Sequence, residues 1–128
     1  MKRKILHYFE VAARVAQSKD DIRVFWIGAV GIRNDGAMVC SLNSPTRFQN
    51  RIVHAEYKLC KKLDTHATVY IARVRLDNFQ FAIAKPCDNC MKRMRSLDVD
   101  KIYYTIDQSH YGMINRDGVE TTHIMRVQ

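Results

Sequence analysis

Nine consecutive apolar residues, Val24 to Ile32, most constrain what this chain can fold into. The run is far short of the ~20 residues that a membrane-spanning helix needs. It is rich in β-branched residues, and apolar side chains occupy both of its alternate sets. Ile22 to Arg33 therefore reads as a strand covered on both faces. Asn34-Asp35-Gly36 is a turn signal, and Ala37 to Leu42 reads as the returning half of a hairpin. Ahead of the strand, Lys4 to Ser18 places Ile5, Tyr8, Phe9, Ala12, Val15 and Ala16 on one side at helical spacing, until Lys19-Asp20-Asp21 breaks the pattern.

The remaining chain alternates between the two periodicities. Asn43 to Arg51 is polar, contains Pro45 and reads as a loop entering a helical stretch, Arg51 to Leu63. Ala67 to Leu76 reads as a strand with Val69, Ile71 and Val74 as its apolar members. Asp77-Asn78 is a turn, Phe79 to Ala84 extends towards Pro86, and a helix is expected from Cys87 to about Ser96. Lys101 to Ile106 is a further strand. No helix pattern follows it: Gly112 to Asn115 and Val119 to Val127 flank Arg116-Asp117-Gly118 as a hairpin. The short connection after Ile106 predicts an antiparallel neighbour. Strands alternating with helices indicate an α/β layered sheet, and 128 residues fit one domain, 1–128.

The chemistry is carried by two short motifs. The first is His54-Ala55-Glu56 and the second is Pro86-Cys87-Asp88-Asn89-Cys90. One imidazole and two thiolates supply three metal ligands, and a catalytic zinc site uses three where a structural one closes its tetrahedron with four. Glu56 stands two residues from His54, poorly placed to ligate beside it but well placed to move a proton within the same site. A plainer reading stands alongside. Cys87 and Cys90 would belong to a structural zinc site, with a fourth ligand drawn from His7, His66, His110 or His123.

Taken together, these motifs resemble the zinc-dependent cytidine deaminase superfamily, whose pattern is H-x-E followed by P-C-x-x-C. The resemblance covers most of the chain, with residues 5–18 as the first helix and Trp26 to Val30 as the first strand. It implies a three-layer α/β/α sandwich with a mixed central sheet. It also implies one Zn2+ per chain held by His54, Cys87 and Cys90, and hydrolytic deamination with Glu56 as proton shuttle. Asn43, eleven residues ahead of His54, falls where these enzymes place an asparagine against the sugar. The backbone around Ala55 would face the reacting base, and Tyr104 lies in a stretch, Tyr103 to Gly112, where relatives carry a substrate-touching loop. In the loop before His54, Phe48 is a candidate to stack on a base, and Arg47 and Arg51 to hold a phosphate.

Composition narrows the partners. The net charge of +8 favours anionic ones, either a nucleotide phosphate or a nucleic acid backbone. Histidine as the first ligand is more typical of deoxycytidylate and polynucleotide deaminases than of enzymes for free cytidine, whereas the compact C-terminal hairpin resembles the nucleoside enzymes. The expected substrate is a free nucleotide, with single-stranded DNA or RNA as the alternative and a non-catalytic zinc-stabilised nucleic-acid-binding module as a third class. Self-association is left open. Met1-Lys2-Arg3-Lys4 is followed by no apolar segment of signal length, Cys40 and Cys60 read as buried thiols, and a cytoplasmic setting without a membrane is expected.

Overall fold

Strand β1, Phe25–Ile32, lies inside the sheet, and its residues 28–31 are buried on both sides, as the continuous apolar run predicts. The structure is a computed structural model and describes residues 2–16, 25–42, 62–75, 80–86 and 88–125. The expected loop over residues 43–51, most of the helix over 51–63, the breaks at 19–21 and 77–78, and Cys60 lie outside the described residues. β1 pairs antiparallel with β2, Met38–Leu42, and antiparallel again with β3, Thr68–Arg75. The β1–β2 hairpin turns at the expected place: Arg33 N–H donates to Ala37 O at 2.8 Å and Gly36 N–H to Arg33 O at 2.9 Å. Gly36 has φ +90°, a left-handed conformation that a side chain would strain.

Beyond β3 the chain forms the two-residue strand β4, Phe81–Ala82, which pairs back antiparallel on β3. Helix α2, Asp88–Ser96, then carries it to β5, Lys101–Thr105. β5 pairs parallel with β3, as the crossover through a helix requires. β6, His110–Asn115, and β7, Glu120–Ile124, follow as successive antiparallel neighbours. The expected C-terminal hairpin is therefore present, with its first strand starting two residues earlier than the pattern indicated. The sheet order is β2-β1-β3-β5-β6-β7, with β4 paired to β3 off this path.

Strand alternation sorts the core into two halves. On one face, Val30, Tyr70, Ala72 and Tyr111 meet Phe9 and Ala12 of helix α1, Lys2–Ala16. On the other, Ala29, Val69, Ile71, Ile102 and Ile114 meet Ala84, Cys90, Met94 and Val99. The result is the three-layer α/β/α arrangement around a mixed sheet. Cys40 is partly buried and packs against the α1 side, in keeping with a thiol role in the core.

Helix α2 ends in a Schellman motif. Val99 N–H donates to Met94 O at 3.2 Å and Asp98 N–H to Arg95 O at 3.1 Å, while Val99 and Met94 share the core cluster. Asp98 adopts φ +53°, where glycine is favoured. Asp98→Gly is expected to raise stability by ~0.5 kcal/mol, its relief of strain offset in part by the freer unfolded chain. Thermal unfolding would check this, a lowered midpoint being the contrary result.

Candidate metal centre and its surroundings

The second motif sits where a short extended segment meets a helix. From β4 the chain runs through Ile83 to Pro86 with alternating exposure, Ala84 and Pro86 buried and Ile83 and Lys85 exposed. Ala84 N–H donates to Thr105 O at 2.9 Å, which ties this segment to the end of β5. Thr105 is wholly buried and its hydroxyl is fully used: it donates to Ala82 O at 2.8 Å and accepts from Arg73 N–H at 3.2 Å. That hydroxyl joins β3, β4 and β5 immediately beneath the segment. A sequence reading has no signal for it, because a threonine at a strand end ordinarily only satisfies propensity.

Cys90 is the third residue of α2 and is 2 % exposed. It lies in the same core cluster as Ala84, Met94 and Tyr104. The first turn of a helix offers unbonded N–H groups and the positive end of the dipole, both favourable to a thiolate. A thiolate buried among apolar side chains would require a cation beside it. Zinc meets the requirement, and a donor set of one imidazole and two thiolates suits zinc in softness and number. Of the residues singled out from the sequence, Cys90 and Tyr104 are described here and fall in one cluster. His54, Ala55, Glu56, Cys87, Asn43, Arg47, Phe48 and Arg51 lie outside the described residues.

Tyr104 is 3 % exposed, and its ring crosses β6 directly over Gly112, leaving no space for a Cβ there. The Glu120 carboxylate on β7 lies near its hydroxyl. Burial first, and then that carboxylate, push the Tyr104 hydroxyl up to about 12, so it is a proton donor throughout the neutral range. Glu120 also takes the Lys85 ammonium, at 2.9 Å through Oε2 and 3.2 Å through Oε1. Lys85, a candidate phosphate ligand by its place before Pro86, is thus engaged within the chain. Residues 103–105 and 110–112 belong to strands, and the connection between them is the short turn 106–109.

The other candidates divide cleanly. Lys92, Arg93 and Arg95 all lie on the exposed side of α2, with Met94 buried beneath them. Three histidines are taken up locally: His66 Nδ1 is 3.3 Å from Asp100, His110 Nδ1 3.0 Å from Asp107, and His123 Nε2 2.8 Å from the Thr121 hydroxyl. His7 is exposed on α1, the helix that packs on the face of the sheet opposite Cys90. None of the described helices is long and apolar enough to cross a membrane.

Comparison with known families adds one finding. The sequence profile of the cytidine and deoxycytidylate deaminase zinc-binding region matches residues 2–106. A search of curated proteins finds no match to the chain.

Proposed function

The chain belongs to the cytidine and deoxycytidylate deaminase family, and on that premise we propose that it converts the cytosine base of a free nucleotide to uracil, releasing ammonia. The observation that carries this reading is that both motifs, His54-Ala55-Glu56 and Pro86-Cys87-Asp88-Asn89-Cys90, fall inside the matched zinc-binding region. His54, Cys87 and Cys90 would hold one zinc ion per chain, which supplies an acidified water, its pKa lowered from about 15.7 to near 7. Glu56 accepts a proton from the water that adds to C4 and passes it to the ring nitrogen, then carries the proton of the new C4 hydroxyl to the amine, which departs as ammonia. Asn43 and the backbone at Ala55 orient the nucleoside part, Phe48 stacks on the base, Tyr104 walls the site, and Arg47 and Arg51 hold the phosphate. Residues 1–128 act as one domain in the cytoplasm, where the thiols remain reduced.

A free nucleotide is favoured over a polynucleotide because the cations near the motif are few. Lys85 is already paired with Glu120, and Arg47 and Arg51, ahead of His54 in sequence, are enough for a single phosphate. The exposed Lys92, Arg93 and Arg95 of α2 support the second reading, a base deaminase for single-stranded DNA or RNA. Ammonia release across nucleosides, nucleotides and oligonucleotides separates the two. Deoxycytidylate or cytidylate is expected to react faster than cytosine in an oligonucleotide. Raising salt from low to physiological is expected to change that rate only about threefold, since few phosphates are engaged. Turnover confined to oligonucleotides and collapsing with salt would establish the second reading instead.

A further inference from the structure

The C-terminal hairpin lies wholly beyond residue 106, where the family match ends. Its outer strand, β7, is exposed along all five residues from Glu120 to Ile124. Such a strand adds little to the core, yet its first residue makes a specific connection back to the matched part of the chain. Glu120 accepts from the Lys85 ammonium and lies near the Tyr104 hydroxyl.

Three features mark this as a built connection. The Tyr104 ring reaches Glu120 only because Gly112 leaves β6 bare beneath it. The Tyr104 side chain is 3 % exposed, and the Glu120 carboxylate near its hydroxyl adds to burial in raising that hydroxyl's pKa. On the other side, Lys85 stands between the buried Ala84 and Pro86, in a segment already tied to β5 through Ala84 N–H. Its side chain is therefore an outward handle on the few residues linking β4 to the helix that carries Cys90.

We propose that Glu120 is a positioning residue of the metal centre: by gripping Lys85 it holds residues 83–86 in the conformation that leads into the helix carrying Cys90, one of the proposed zinc ligands. This rests on the reading of that cysteine as a zinc ligand. Glu120 touches neither metal nor substrate in this role. The side chains of Lys85 and Glu120 are 51 % and 37 % exposed, so solvent screens their attraction. The contribution is orientational and is read in how long zinc is held.

The test uses the zinc-loaded full chain with an excess of chromogenic chelator, comparing Glu120→Gln, Lys85→Met and the double variant with wild type. Glu120→Gln keeps the size of the side chain and removes the negative charge that faces Lys85, while Lys85→Met removes the ammonium itself. Each single variant is expected to release zinc ~10-fold faster, the lower end of what losing an outer-shell partner costs in metal affinity. The double variant is expected to release it no faster than either single, and the thermal midpoints of the zinc-free proteins to coincide. Wild-type release from both single variants, or effects that multiply in the double, would overturn the proposal while leaving the zinc reading intact. A wild-type chain that carries no stoichiometric zinc would instead overturn the reading beneath it.

Discussion

Glu56→Gln is expected to abolish measurable deamination, by roughly 10²–10⁴-fold or more, while zinc content stays at one per chain. The amide keeps the size and hydrogen-bonding reach of the carboxylate but cannot carry the proton from water to the ring nitrogen. Because Glu56 is assigned no place among the ligands, the metal and the fold remain. Metal analysis and ammonia release on the same sample make the outcome decisive. Near-wild-type turnover in a zinc-loaded variant would remove Glu56 from the mechanism. Loss of zinc together with activity would make it a ligand, contrary to the role assigned to it.

Gly112→Ala is expected to produce a large loss of stability. A Cβ at Gly112 would fall within the Tyr104 ring, 2.6 Å from its Cε1. An exposed tyrosine would swing aside. Tyr104 is buried in the cluster with Cys90, Met94 and Ile114, so moving it disturbs the core. Overpacking of this kind costs ~1–3 kcal/mol. Thermal unfolding of the zinc-free chain would show it as a fall in the midpoint of several degrees. Tyr104→Leu combined with Gly112→Ala is expected to cost less than the two changes separately, because the clash disappears with the ring. Strict additivity would mean that the ring and the glycine are not coupled.

Local signals account for most of the architecture. The uninterrupted apolar run of β1, the Asn34-Asp35-Gly36 turn and the helical spacing of Ile5, Tyr8, Phe9 and Ala12 each describe a segment by itself, and each segment has the structure its pattern implies. The antiparallel C-terminal hairpin was legible for a similar reason, since so short a connection after β5 leaves no length for a crossover. Both motifs were legible as chemistry, because ligand type and spacing are properties of adjacent residues.

What separates the two levels is whether the deciding contact lies within a few residues or across the sheet. Elements, turns and the candidate zinc donors are read from the sequence alone, through backbone preferences and side-chain chemistry that act over one or two turns of chain. The pairing of Lys85 with Glu120, thirty-five residues apart, does not. Neither does the bridging hydroxyl of Thr105, nor the glycine beneath the Tyr104 ring. Lysine before proline reads as a free cation, and tyrosine on a strand as either core or substrate contact. Only the register of β5, β6 and β7 places Tyr104 opposite Gly112 and Glu120 opposite Ile114, one strand further out on the same face. That register is set by burying Ile102 and Ile114 against α2, a collective packing choice that no single stretch of the chain encodes.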